Sequence, residues 1–185
     1  VSSGSWIIDS LIGDGSMTGS PGGNPRGHIT EVFGDESSGK TTYILSSIKK
    51  AQEQGGVGVL VDFEQTFHAD YAQKIGVDLN QNKFMLIQPN HFQQGARQIF
   101  DILLMKPHII AVDSVSAMTP KEFLEGTVDE AGRMGLQAQL MSAFLSYITK
   151  FLKASNTSII FANQLRSVIK TSKYESRFFT RYISI

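Results

Sequence analysis

Short apolar runs alternate along the chain with longer stretches in which apolar residues recur every three or four positions. His28 to Phe33 is β-prone and runs into a Gly-rich turn. Thr41 to Gln54 places Ile44, Leu45, Ile48 and Ala51 on one helical face, and Gly55-Gly56 ends that helix. Val57 to Phe63 reads as a buried strand and Phe84 to Ile87 as a shorter one. Phe92, Ala96, Ile99, Phe100, Leu103 and Leu104 keep helical spacing up to the stop at Pro107. Ile109 to Asp113 is a strand rich in β-branched residues. The longest predicted helix carries Leu136, Leu140, Met141, Phe144, Leu145, Ile148, Phe151 and Leu152 on one face, and Ser158 to Ala162 is a further strand. Strands alternating with helices of this length imply right-handed βαβ crossovers and a mostly parallel twisted sheet. The fold class is α/β.

Ahead of these elements, residues 13–27 contain six glycines and two prolines, a composition that reads as a loop. There is no internal repeat. With 185 residues, of which 41% are apolar and 18% charged, the chain fits one domain over 1–185 with a continuous core. The absence of cysteine excludes a disulfide scaffold, a thiolate zinc site and a cysteine nucleophile. The longest apolar run, as at Ile109 to Val112, is far below the roughly 18 residues of a membrane span. Val1 to Trp6 has neither the basic nor the apolar region of a signal peptide. A cytoplasmic or nucleoid-associated protein without a membrane partner is expected.

The formal net charge is zero, with 17 Lys+Arg against 17 Asp+Glu, but the charges are unevenly placed. Arg166, Lys170, Lys173, Arg177 and Arg181 face only Glu175 in the last part of the chain, which leaves the remainder net acidic. Such a segment reads either as a solvated face or as a contact for a polyanion such as nucleic acid.

Gly34-Asp35-Glu36-Ser37-Ser38-Gly39-Lys40-Thr41 matches G-x-x-x-x-G-K-[ST] at every fixed position, between a predicted strand and a predicted helix. Phosphate oxygens need converging donors without steric cover. A glycine-rich loop opening a helix supplies backbone N–H groups and the positive end of the helix dipole. Lys40 adds a mobile charge for the β- and γ-phosphates, and the Thr41 hydroxyl can ligate Mg²⁺. A metal held this way needs a carboxylate on a neighbouring strand. Asp113 closes the apolar strand Ile109 to Val112, at the end where open parallel sheets bind ligands. A strand-terminal Asp is also a common helix cap. Glu64 lies just past the strand that follows the phosphate-loop helix. A carboxylate there can deprotonate water for in-line attack on a γ-phosphate, or can be a surface acid.

Several blocks coincide with one family. The chain resembles the bacterial RecA family of DNA-strand-exchange recombinases over almost its whole length. The matching blocks are Gly34 to Thr42, Tyr71 to Asp78, Val112-Asp113-Ser114-Val115-Ser116-Ala117-Met118-Thr119-Pro120-Lys121, Glu125-Gly126, Met134-Gly135-Leu136, and Ser155-Asn156-Thr157 leading to Phe161-Ala162-Asn163-Gln164-Leu165-Arg166. The phosphate loop alone suits many NTPases. Its combination with Asp-Ser-Val-x-Ala-x-Thr-Pro and Asn-Gln-[hydrophobic]-Arg is specific to this family and its near relatives.

The resemblance implies a RecA-like P-loop NTPase core that hydrolyses ATP with Mg²⁺ when stimulated by DNA. It gives phosphate and metal binding to Lys40 and Thr41, the metal's water to Asp113, catalysis to Glu64, and a place in the same neighbourhood to Ser114. Gln164 would sense the γ-phosphate, and Tyr71 would stack on adenine. His68 stands where bacterial members usually carry an Asp against the base. Two loops would touch single-stranded DNA and then duplex DNA. The first covers 125–134, with Met134 as an apolar wedge. The second covers 166–177, with Arg166, Lys170 and Lys173 for phosphates and Ile169 as wedge. Met134 also reads as the start of the long helix's apolar face, and Ile169 as a core residue. The second loop departs from the family by lacking glycine over Ser167 to Ser176. The family's subunit-docking and C-terminal segments have no counterpart in this sequence, so a helical filament is expected of an intact parent rather than of this chain alone. The reading that follows is a recombinase core for homologous recombination and DNA repair. A regulatory or mediator ATPase of the same fold, without strand exchange, is the alternative.

Overall fold

A computed structural model describes residues 1–12, 22–126, 130–164, 166–167 and 182–183. The elements in chain order are α1 (Trp6–Ile12), β1 (Ile29–Gly34), α2 (Lys40–Glu53), β2 (Gly58–Asp62), α3 (Ala69–Ile75), β3 (Phe84–Ile87), α4 (Phe92–Leu104), β4 (Ile109–Asp113), α5 (Lys121–Leu124), α6 (Glu130–Ser155), β5 (Ser158–Gln164), β6 (Arg166–Ser167) and β7 (Tyr182–Ile183). A 3₁₀ turn, Val115–Ala117, follows β4. β1 to β5 form one parallel sheet in the order β1-β5-β4-β2-β3. The short β6 and β7 pair antiparallel.

Every residue of β2 and of β4 is buried, because helices cover both faces of the sheet. Alternation divides the side chains. Val59, Val61, Ile110, Val112, Ile159 and Phe161 pack on one face with α4 and α6, through Ile99, Leu103, Phe144, Ile148 and Leu152. Leu60, Ile109, Ala111, Ile160 and Ala162 face the other way, against Ile44, Leu45, Ile48 and Ala51 of α2 and Ala72 of α3. The close seat of α4 requires Gly95, since a Cβ there would lie 2.1 Å from the Phe63 ring.

The predicted strands and helices are present, most with ends moved by a residue or two. α6 begins at Glu130, inside the stretch expected to form the first DNA loop. Ala131, Arg133 and Met134 have good helix propensity, which offsets Gly132 and Gly135 in the same stretch. Residues 22–27 of the Gly/Pro-rich segment hold no regular element, and 13–21 lie outside the described residues. The short helices α1, α3 and α5 were not foreseen by the periodicity. No helix among the described residues is long and apolar enough to cross a membrane.

Candidate active site

The parallel register brings the C-terminal ends of β1, β2, β4 and β5 side by side. Gly34 pairs with Gln164, and Asp62 with Asp113. The loop after β1 closes on Gly39, whose φ of +91° is left-handed and open to glycine without strain. α2 starts at the next residue, so its positive end points into the loop.

A cavity of about 300 Å³ lies at this edge, lined by Glu36 to Thr42 with Glu64, Tyr71, Asp113 and Gln164. Lys40 is buried, and its Nζ donates to the carbonyls of Gly34 at 3.1 Å and Asp35 at 2.7 Å. Those carbonyls are neutral partners that a phosphate can replace. Thr41 Oγ1 donates to Asp113 Oδ2 at 2.8 Å, which joins the helix to the end of β4. Burial holds the Asp113 carboxyl above its ordinary value, and the Glu64 and Asp62 charges add to that. The Thr41 hydrogen bond and the Lys40 charge oppose it. A buried acid whose direct partner is a hydroxyl gains from a nearby hard cation, so this pair fits Mg²⁺.

Glu64 is exposed on the turn after β2. Its N–H and that of Phe63 point at the Asp113 carbonyl, at 3.4 and 2.7 Å. Its Oε1 accepts from Ser114 Oγ at 2.5 Å and from Gln164 Nε2 at 3.3 Å. Ser114 Oγ also lies 2.8 Å from Ser116 Oγ, and the Asp113–Ser114 peptide is cis. Ser114 is fully buried and holds Glu64 rather than facing the cavity. Tyr71 is exposed at the mouth, its hydroxyl 2.7 Å from Thr42 Oγ1. His68 stands exposed at the N-cap position of α3, with no side-chain capping bond. Asp35 is exposed and meets Lys40 through its carbonyl.

Sequence reasoning missed Asp62. Its buried Oδ2 accepts from the Phe67 N–H and from Gln88 Nε2, both at 3.0 Å, which ties down the loop carrying Glu64. Its position closing β2, as Asp113 closes β4, was the available signal. Of the expected DNA-contact residues, Met134 lies in the first turns of α6 and Arg166 in β6, while Ile169, Lys170 and Lys173 lie outside the described residues.

A parallel α/β sheet with a phosphate loop opening α2 and two acids at adjoining strand ends defines a RecA-like P-loop NTPase core. The family model for the RecA N-terminal domain matches residues 1–176, and the chain belongs to the RecA family. It is 42% identical over 171 residues to Protein RecA of Mesoplasma florum, covering 91% of this chain and 48% of that protein. Protein RecA of Methylococcus capsulatus and that of Acinetobacter baylyi are each 43% identical over 171 residues, with 91% of this chain and 46% of each relative covered. The chain thus spans about half the length of these curated relatives.

Proposed function

We propose that this chain is one ATPase domain of a recombinase that binds single-stranded DNA in its ATP state and releases it on hydrolysis, in homologous recombination and repair. The observation that carries the reading is the Gln164–Glu64 contact of 3.3 Å. It links the candidate water-activating carboxylate to the strand end that leads into the basic segment.

In this reading Lys40 exchanges its loop carbonyls for the β- and γ-phosphates, and the backbone donors of Glu36 to Thr42 hold the remaining oxygens. Thr41 and, through water, Asp113 would hold Mg²⁺, which supplies charge neutralisation on the phosphates when bound. Glu64 takes the proton of a water attacking the γ-phosphorus in line. The bond to the β–γ bridging oxygen breaks, and the products are ADP and phosphate. Tyr71 lies where a purine leaving the phosphate loop can stack on it. The segments 125–134 and 166–177 would carry the DNA contacts, with duplex DNA as the second substrate. Assembly into a helical filament and a cytoplasmic place beside the chromosome belong to the same proposal.

ATP turnover measured with and without single-stranded DNA tests this. Stimulation by DNA is expected. Nucleotide binding with turnover indifferent to DNA would instead favour a regulatory ATPase.

A further inference from the structure

We propose that Ser116 is a positioning residue for the Glu64 carboxylate, acting through Ser114. The inference rests on Glu64 being the water-activating base, and Ser116 fills the unspecified fourth position of the Asp-Ser-Val-x-Ala-x-Thr-Pro block.

Proton counting sets the direction of the chain of bonds. An ionised carboxylate only accepts, so the 2.5 Å contact is a donation from Ser114 to Glu64 Oε1. A serine hydroxyl has one proton. Ser114 has therefore spent its own and can only accept across the 2.8 Å contact with Ser116. The order is Ser116 to Ser114 to Glu64, and each donation polarises the next. Ser114 is fully buried. Without Ser116 its hydroxyl loses the neighbour that fixes its torsion.

The fold explains why Ser116 is available. The 3₁₀ turn is anchored by Val115 and Met118, both buried in the core cluster shared with α4 and α6. The Ala117 N–H bonds to the Ser114 carbonyl at 3.1 Å, and the Met118 N–H to the Val115 carbonyl at 3.1 Å. With its neighbours committed to the core, Ser116 presents its hydroxyl toward Ser114. Gln164 donates to the same Oε1. Both donors thus converge on one oxygen of Glu64, which fixes the carboxylate plane and leaves Oε2 for the attacking water.

Ser116 does not line the nucleotide cavity, so its removal acts on chemistry and not on affinity. Ser116→Ala is expected to lower kcat about three- to tenfold, the span of one neutral hydrogen bond, with KM for ATP unchanged. Ser116→Thr, which keeps the hydroxyl, is expected to restore kcat. A readout independent of turnover is the ¹³C resonance of the Glu64 carboxyl in Glu-labelled protein, assigned by its loss in Glu64→Gln. It should move in Ser116→Ala and return in Ser116→Thr. An unmoved resonance in Ser116→Ala, equal failure of the Thr variant, or a KM that rises as kcat falls would overturn the relay. A wild type with no turnover would defeat the hydrolase reading alone, while the resonance still decides the relay.

Discussion

Thr41 and Asp113, separated by 72 positions, meet in a 2.8 Å hydrogen bond that spans from the first turn of α2 to the end of β4. The pair joins the phosphate loop to the neighbouring strand before any ligand arrives. It also leaves a carboxyl group in a place that disfavours its charge, because burial and the Glu64 and Asp62 carboxylates outweigh what Thr41 and Lys40 provide.

That cost has a sign. With its folded value raised, Asp113 keeps its proton to higher pH than it does in the unfolded chain, whose reference is 3.8. Its stabilising contribution is therefore complete below that reference and lost as pH rises through the folded value. Asp113→Asn removes the effect. In the absence of nucleotide and metal, the variant should be more stable than wild type at neutral pH, with the gap closing toward pH 4. Denaturant melts across that range check it. The same variant should weaken Mg²⁺-dependent nucleotide binding more than metal-free binding, so stability and function should move in opposite directions.

Lys40→Ala should abolish ATP binding, because Lys40 is the cation of the phosphate loop and, among the described residues, the only lysine or arginine lining the cavity. Titration with a fluorescent ATP analogue reads the loss. Equal affinity in wild type and variant would overturn the assignment of the cavity.

Glu64→Gln preserves shape and the capacity to accept from Ser114 and Gln164 while removing the proposed base. ATP should bind near-normally and turnover should fall by ~10² or more. Persistent turnover with normal binding would place the water-activating group elsewhere.

The strands and long helices were legible because their apolar periods match their burial. β4 is apolar throughout and buried on both faces, and α4 buries Phe92, Ile99, Ile102 and Leu103 at helical spacing. The phosphate loop was legible because its chemistry is local in sequence. α1 was not, since its period is inverted: Trp6 and Leu11 are 76% and 81% exposed, whereas Asp9 is buried. Asp9 accepts from the Ser3 N–H at 2.7 Å and from the Ser2 hydroxyl, and these bonds outweigh burial and hold its carboxyl below the ordinary range. Such a helix is set by polar contacts that no hydrophobic pattern reveals. The bond from Ser114 to Glu64 joins residues 50 positions apart and depends on the β2–β4 register, which the sequence does not display.

Gln52 shows the same kind of long-range polar anchor in the core. Its side chain, on α2, donates to the Asp78 and Lys83 carbonyls at 2.8 and 3.1 Å and accepts from the Asp78 N–H at 2.9 Å. Gln52 is buried, so its loss removes the side-chain partner of the Asp78 N–H and carbonyl, while the Lys83 carbonyl keeps its bond from the Gly58 N–H at 3.0 Å. Gln52→Ala should cost about 1–3 kcal/mol and lower Tm by several degrees, with nucleotide affinity unchanged at temperatures where the variant is folded. Thermal melts paired with a binding titration separate the two effects.

Gln164 offers the sharpest test of coupling between nucleotide and DNA. It is the last residue of β5, in register with Gly34 at the start of the phosphate loop, and its amide donates to Glu64. Bound ATP would place a γ-phosphate beside this amide, and hydrolysis would remove that acceptor. The segment beginning at Arg166 is two residues away along the chain, so a change at Gln164 reaches it directly. ATP should therefore raise affinity for single-stranded DNA more than ADP does in the intact protein. Gln164→Ala should erase that difference while leaving ATP affinity largely intact. Lys170→Ala combined with Lys173→Ala should act differently. It should lower affinity in both nucleotide states and flatten the salt dependence, because contacts with backbone phosphates release counterions whatever nucleotide is bound. The measurement is single-stranded DNA binding across a salt series, with ADP or a non-hydrolysable ATP analogue. If the intact protein binds DNA equally in both states, Gln164 does not transmit the γ-phosphate, and the Gln164–Glu64 bond serves only to orient the carboxylate.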